Sequence, residues 1–267
     1  MHLRLLREKL FTNAVIAERD QFVIKFAETD DEIKKAQRLR YRVFNLEQGK
    51  GLDTALSAGI DSDEFDEHCI HLIIFDKNDG DVVGTYRMHF GVVAKEALGL
   101  YSSREYELRG LDQILDDCLE VGRSCVSPNY RNGAVVALLW AGIAEVVLQT
   151  NIRYLLGCVS LENTKPAVGW ALYDYFMGKN LGSDVLSGTP HQRFVLTPSP
   201  REEIDAWLKE PLKLQKEIPP LFKGYLRLGT KICGPPAMDD EFGTIDFMIL
   251  LDTRKVPERY WRHFTMP

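Results

Sequence analysis

The sequence predicts an α/β (α+β) fold in which helices flank a mixed and mostly antiparallel sheet. The first observation behind this prediction is a hairpin, whose strands at 71–75 and 81–90 are joined by a turn that ends in Asp79 and Gly80. The second is a strand–helix–strand unit over residues 118–160. The composition is globular, because 45% of the 267 residues are hydrophobic and 27% are charged.

Before the hairpin, the pattern predicts a helix, a strand and a second helix. Residues 1–20 mix basic and apolar side chains as a short amphipathic helix does, and residues 21–27 alternate as in a strand. Thr29 is followed three positions later by Glu32, a capping box that predicts a helix running to about residue 46.

After the hairpin, residues 92–117 look irregular, with one or two helical turns. The strand–helix–strand unit then has a strand over Cys118–Val126, a helix over Ala134–Thr150 and a second strand over 153–160. The remaining elements are a helix and two strands, at 164–177, 194–197 and 244–251.

No linker or repeat divides the chain, so we expect the N-terminal helix and one domain over 21–267, with a C-terminal extension at 200–267. The net charge of −6 argues against a general nucleic-acid binder. The longest apolar-rich run, 133–148, contains Glu145 and is too short to cross a bilayer. Five scattered cysteines and the lack of a signal peptide predict a cytoplasmic protein. The N-terminal helix leaves a peripheral contact with the inner face of the membrane open.

A charged pair lies inside the strand Cys118–Val126, which should be buried. In a regular strand Glu120 and Arg123 would point to opposite faces. Gly122 lies between them and suggests a bulge, which would bring both onto one face. The residues alone allow either a structural ion pair or a pair that points into a cleft.

The loop after this strand leads into a helix N-terminus, where free backbone N–H groups and the helix dipole favour phosphate. Arg131 adds a charge-assisted donor beside Asn132, Gly133 and Ala134. Many ordinary strand–helix loops also contain Arg and Gly, so both interpretations stay open.

Four segments resemble a known family: LRYRVF at 39–44, DEFD at 63–66, VGTYR at 83–87 and EVGR at 120–123. They resemble the acyl-homoserine lactone synthases, the N-acyl amino acid synthases and the ornithine–acyl carrier protein N-acyltransferases (often called hemolysin-like), all branches of the GNAT acyltransferase fold. Glu47-Gln48-Gly49 stands where the lactone synthases carry a Trp, which counts against a lactone product. The C-terminal segments resemble the ornithine branch: 219–229, 234–237 and 240–244.

The resemblance implies transfer of a long-chain acyl group, with a 3-hydroxy chain favoured, from acyl carrier protein to the α-amine of ornithine, giving lyso-ornithine lipid. It implies acyl carrier protein and an amino acid as partners. No metal and no cofactor are expected, since the carrier-bound 4'-phosphopantetheine thioester is a substrate. Two alternatives stay open: acylation of another amino acid such as glycine, or a membrane-active, hemolysin-like lipid-binding protein.

The resemblance also implies roles for individual residues. Glu120 would act as general base beside Arg123, and the backbone near Ser124 and Cys125 would hold the thioester oxygen. A cluster of charges would order the N-terminal segment and help hold the substrate carboxylate: Arg40, Asp63, Asp66, Arg87 and Arg123. The phosphopantetheine would bind the loop residues Arg131, Asn132, Gly133 and Ala134.

Three further features have competing explanations. The basic stretch could steer acidic acyl carrier protein or be a solvated face; its residues are Lys34, Lys35, Arg38, Arg40 and Arg42. An ornithine side-chain ammonium would need an acidic site, and the candidates, which could equally form an exposed turn, are Asp239, Asp240, Glu241 and Asp246. Cys125 as a nucleophile and a metal site at 68–71 are both disfavoured, because the pattern supplies no matching partner residues.

Overall fold

The computed structural model describes residues 5, 6, 8, 15–50 and 55–265. The chain forms two compact units. The first unit comprises Met1–Gly99, Asp117–Arg153 and Pro257–Pro267, and the second comprises Leu100–Asp116 and Tyr154–Val256. The single domain over 21–267 stays a prediction.

The elements are numbered in chain order. The strands are β1 (Val15–Arg19), β2 (Phe22–Phe26), β3 (Ile70–Asp76), β4 (Asp81–Phe90), β5 (Tyr106–Arg109), β6 (Cys118–Val126), β7 (Tyr154–Leu161), β8 (Ser187–Pro190), β9 (Lys231–Ile232), β10 (Ala237–Asp239) and β11 (Thr244–Asp252). The helices are α1 (Asp30–Tyr41), α2 (Ala55–Ala58), α3 (Gly91–Ala94), α4 (Leu111–Ile114), α5 (Ala134–Thr150), α6 (Pro166–Gly178), α7 (Arg201–Leu208), α8 (Pro211–Leu214), α9 (Pro220–Leu228) and α10 (Glu258–Thr265).

The first unit is built on an antiparallel sheet in the order β1-β2-β3-β4-β6. Helix α1 begins at a complete capping box, in which the Thr29 hydroxyl accepts from the Glu32 amide and the Glu32 carboxylate accepts from the Thr29 amide. Its apolar face packs Ala36 and Leu39 against Ile73 of β3 in a buried core. A single π-helical turn, Arg42–Glu47, follows directly.

Helix α5 lies close against β3. A Cβ on Gly142 would come 2.6 Å from the Leu72 side chain, so a larger residue here would force that side chain to move. Elsewhere on α5, the ring of Trp140 stacks on that of Phe264 in α10, with 5.6 Å between the ring centroids. Within the described ranges, no helix has both the length and the apolar character needed to cross a membrane.

The second unit contains two sets of paired antiparallel strands. In one, β11 pairs with β7, β9 and β10, and in the other β5 pairs with β8. Helices α6 and α9 bury aromatic side chains against β11, where the Phe176 ring lies 5.4 Å from that of Phe222 and 5.6 Å from that of Phe247. This aromatic contact anchors the core of the unit.

The structure confirms most predicted elements and corrects three. Val15–Arg19 is strand β1 rather than the end of a helix over 1–20, because its backbone pairs with β2. Residues 5, 6 and 8 are helical, and the rest of 1–14 lies outside the described residues. The irregular stretch 92–117 contains β5, which the sequence missed because only four residues pair. The predicted strand 194–197 makes one isolated bridge and follows a 3₁₀ turn.

Candidate active site

A β-bulge interrupts β6 where the sequence predicted one. Two steps along β4, from Arg87 to Thr85, face three steps along β6, residues 122–125. Within the bulge, Arg123 has a φ of 49°, a left-handed conformation that non-glycine residues rarely adopt. Such strain persists only where the surroundings enforce it, and it concentrates at functional sites.

The bulge gathers charged side chains on one face of the β4–β6 pair. Glu120 lies opposite His89, and Gly122 lies opposite Arg87, so the side chains of His89, Arg87 and Glu120 point the same way. Arg123 and Arg87 both contact the carboxylate of Asp63. Glu120 and Arg123 therefore lie on a common face, as the sequence analysis predicted for a bulged strand.

His89 is a component of this face that the sequence analysis missed. Its Nδ1 lies 3.9 Å from Oε2 of Glu120, and the His89 and Glu120 residues are only 3% and 6% exposed. Neither ring nitrogen has a hydrogen-bond partner among the residues that the structure describes. Burial and the charge of Arg87 lower the pKa of His89 to about 4, so the imidazole is neutral at pH 7. Its position two residues after Arg87 on a strand was the available signal.

Arg40 anchors a buried cluster of charges beside this face. Its guanidinium donates to both carboxylate oxygens of Asp66, at 2.8 and 3.0 Å, and its Nε donates to Asp61 Oδ1 at 2.7 Å. Arg40 is 1% exposed and Asp61 is fully buried. The bidentate geometry is the one that guanidinium and carboxylate favour. Asp61 was absent from the predicted site because no local pattern distinguishes it from an ordinary loop aspartate.

Two further arginines complete what we call the charge cluster. Nη1 of Arg87 lies 2.5 Å from Asp63 Oδ1 and 3.2 Å from Asp66 Oδ1. Nη2 of Arg123 lies 3.2 Å from Asp63 Oδ2. The three positive and three negative charges balance; the members are Arg40, Asp61, Asp63, Asp66, Arg87 and Arg123.

The arginines of the charge cluster keep Asp63 and Asp66 ionised. Burial alone would raise the pKa of Asp66, but the charge and hydrogen bonds of Arg40 hold it far below its usual range. Burial likewise opposes ionisation of Asp63, whose pKa is lowered by Arg87 and then Arg123. The guanidinium of Arg40 is fully engaged with Asp61 and Asp66, which indicates a positioning role. Arg87 and Arg123 lie on the face that also carries Glu120.

Acid is expected to destabilise the protein in two steps. Burial lowers the pKa of both His71 and His89 to about 4, below the ordinary value of 6.5, so the unfolded chain binds more protons in this window. The free energy of unfolding should therefore be independent of these two histidines above about pH 6.5. It should fall by about 3 kcal/mol per histidine as the pH drops toward 4. Below that, protonation of Asp63 and Asp66, whose pKa values are depressed, removes more.

Urea unfolding between about pH 7 and pH 4 checks this expectation. The variant His89→Leu should reduce this pH dependence, because it removes one of the two histidines whose pKa is lowered to about 4. Equal stability at both ends of the range would contradict it.

The loop between β6 and α5 keeps the predicted helix start but has an unexpected partner. Helix α5 begins at Ala134, after Gly133 with a φ of 94°, and the Asn132 side chain accepts from the Ala134 amide. Arg131 forms a bidentate pair with Glu47, at 2.5 and 2.8 Å. The hydrogen bonds between Arg131 and Glu47 orient the guanidinium and lower the pKa of Glu47. The binding of phosphopantetheine by this loop stays a prediction.

Cys125 lies beside the bulge but is unsuited to nucleophilic attack. Its thiol is buried and donates weakly to the Leu39 carbonyl at 3.7 Å. Burial raises its pKa to about 12, so almost none of it is thiolate at pH 7. The predicted role of the Ser124 and Cys125 backbone, to hold a thioester oxygen, stays a prediction.

Comparison with known proteins places this site in a family. Residues 39–141 match the family described as Acetyltransferase (GNAT) domain. L-ornithine N(alpha)-acyltransferase of Brucella abortus (strain 2308) is 35% identical over 253 residues, which cover 90% of this chain and 88% of the relative. The protein of the same name from Agrobacterium fabrum (strain C58 / ATCC 33970) is 32% identical over 251 residues, covering 90% and 84%. A solved N-acyl amino acid synthase from uncultured soil microbes shares 14% identity with a TM-score of 0.48, covering 92% and 95%.

The matched residues include most of the site. Arg40, the carboxylates of the charge cluster, Glu120 and the bulge all fall within 39–141. The fold is therefore the GNAT fold, a mixed α/β architecture with a mostly antiparallel sheet flanked by helices, and the protein is an acyltransferase. At 35% identity over nine-tenths of its length, the chain belongs to the family of the L-ornithine N(alpha)-acyltransferases.

Proposed function

We propose that this protein transfers a long-chain acyl group, with a 3-hydroxy chain favoured, from acyl carrier protein to the α-amine of ornithine. The product is lyso-ornithine lipid. The observation that carries the acceptor is that relatives at 32% to 35% identity, matched over nine-tenths of this chain, bear the name L-ornithine N(alpha)-acyltransferase. We place the enzyme in the cytoplasm, beside the inner face of the membrane that would receive its product.

The geometry of the first unit supports amide formation from a thioester. The Glu120 carboxylate accepts a proton from the α-ammonium, and the neutral amine attacks the thioester carbonyl carbon. Backbone amides of the bulge hold the oxygen as it becomes negative. The new C–N bond forms and the C–S bond breaks. The nitrogen then gives up a second proton, which goes to the departing thiolate, and Glu120 releases the first proton to solvent. The neutral His89 beside Glu120 adds no positive charge that would pair with the carboxylate and weaken it as a base.

The choice of acyl carrier protein as donor is supported by the basic side chains of α1 and of the π-helical turn that follows it. Arg40 is buried in the charge cluster and so drops out of the predicted basic stretch. The exposed or half-buried members are Lys34, Lys35, Arg38 and Arg42. Lys35 and Arg38 pair with Asp31, and Arg42 pairs with Asp81, so four positive charges face two negative partners. The local excess of positive charge complements an acidic carrier protein.

Thiol release from 3-hydroxyacyl carrier protein tests the proposal. We expect release that depends on ornithine, with acyl-ornithine detected by mass spectrometry. Glycine as acceptor and acetyl-coenzyme A as donor serve as parallel arms. Release that ignores ornithine but follows glycine would change the acceptor, and activity with acetyl-coenzyme A alone would overturn the lipid function.

A further inference from the structure

The second unit contains a group of buried carboxylates outside the site described above. Glu105, Asp239 and Asp246 are 3%, 6% and 4% exposed, and each offers an oxygen within 4.8 Å of those of the other two. In the described part of the chain, this is the one such group of three potential ligands. The acidic residues 239–241 differ in burial, because Asp240 and Glu241 are exposed while their neighbour Asp239 is buried.

A buried hydroxyl joins these carboxylates. Thr244 lies opposite Asp239 in the β10–β11 pair, and Asp246 follows two residues later, so the three side chains share one face. Thr244 is 6% exposed, and its Oγ1 has no hydrogen-bond partner among the described residues. A buried hydroxyl oxygen without a partner is unfavourable unless something accepts or coordinates it. This observation is independent of the carboxylates and points to the same position.

The surroundings fix these oxygens in place. Asp239 Oδ1 accepts the amides of Glu241 and Phe242, at 2.9 and 3.0 Å, which holds its carboxylate in one orientation. The Tyr106 hydroxyl donates to the Asp246 carbonyl at 2.9 Å.

Three carboxylates this close in a buried region repel one another, and a divalent cation bound among them would offset that repulsion. Carboxylate and hydroxyl oxygens are the hard ligands that Ca²⁺ and Mg²⁺ take. At Ca²⁺–oxygen distances of about 2.3–2.6 Å, ligands on opposite sides of the ion lie about 5 Å apart. The 4.8 Å limit on the carboxylate oxygens fits one such sphere.

We propose that Glu105, Asp239, Asp246 and the Thr244 hydroxyl bind one hard divalent cation, of calcium size, within the second unit. This departs from the expectation of no metal in the sequence analysis. The assignment is independent of the acceptor and donor proposed above, because it concerns the stability of the second unit.

Thermal unfolding of the full chain, treated with EDTA and then dialysed, tests the site. We expect millimolar Ca²⁺ to raise Tm by about 5 °C, with a smaller rise from Mg²⁺ and none from matched KCl. Tb³⁺ should replace Ca²⁺ and luminesce on excitation of tyrosine, since the Tyr106 hydroxyl contacts Asp246.

Two variants test whether the proposed ligands bind the cation. Asp239→Asn keeps the oxygen that accepts the Glu241 and Phe242 amides, so the turn should persist. It should raise Tm in EDTA, because it removes a repelling charge, and abolish the Ca²⁺ shift. Thr244→Val should weaken the shift without changing any charge. The control Asp240→Asn, one residue away and exposed, should behave as wild type.

Two outcomes would overturn the proposal. One is a wild-type Tm that Ca²⁺, Mg²⁺ and Tb³⁺ leave unchanged or that Asp239→Asn and Asp240→Asn shift equally. The other is a shift produced by ornithine but not by the metals and lost in Asp239→Asn, which would make the ligand an alkylammonium ion. Neither outcome bears on thiol release from acyl carrier protein, so failure of this site and failure of the proposed function are distinguishable.

Discussion

Glu120→Gln is expected to lower kcat/KM for amide formation by about two to four orders of magnitude while the protein stays folded. Glutamine matches the volume of glutamate but cannot accept a proton. Glu120 is 6% exposed on a bulged strand, so solvent is poorly placed to replace it as base. The same substitution at Glu67, an exposed residue next to Asp66, is the matched control and should retain full activity.

The pH profile separates loss of a base from a structural effect. As pH rises, more of the α-amine is already neutral, so the Glu120→Gln variant should recover about tenfold in rate per pH unit until the amine has titrated. A misfolded variant would gain nothing. Wild-type activity in Glu120→Gln would remove this residue from the mechanism, and a loss that does not shrink with pH would make its role structural.

Arg40→Met should be the most destabilising single change in the charge cluster, at about 3–5 kcal/mol in the free energy of unfolding. Methionine fills much of the space but leaves Asp61 and Asp66 buried without the guanidinium that now donates to both. The cost is the uncompensated burial of two carboxylates rather than the worth of the ion pairs themselves.

Arg42→Met provides the control, two residues along the chain. Arg42 also pairs with an aspartate, Asp81 at 3.0 Å, but their side chains are 48% and 37% exposed. Such a surface pair contributes about 0–1 kcal/mol, so urea unfolding should show a small effect. Similar losses for the two variants would mean that the cluster is open to water in solution, contrary to the burial seen here.

Sequence reasoning succeeded where local rules decide the structure. The capping box of Thr29 and Glu32 is present as predicted, and Cys118–Val126 and Ala134–Thr150 form the expected strand and helix. The bulge was predictable because Gly122 separates two charges that a regular strand would send to opposite faces.

It failed where partners come from distant parts of the chain. Asp61 reaches Arg40 from a loop 21 residues away, and Glu47 reaches Arg131 across 84 residues. Neither the loop of Asp61 nor the π-helical turn that ends at Glu47 carries a periodic pattern, so nothing local distinguishes these acids from solvated ones. The same holds for Glu105, which joins Asp239 and Asp246 only through the tertiary fold.

The buried cysteines have a consequence for an enzyme that handles activated acyl groups. Thioesters react readily with thiolates, so the thioester donor proposed above would acylate a reactive cysteine. Burial raises the pKa of both Cys125 and Cys233 to about 12, and that of Cys69 further still. At pH 7 only about one in 10⁵ of the Cys125 or Cys233 thiols is ionised. The chain can therefore work among thioesters with these sulfurs protected from self-acylation.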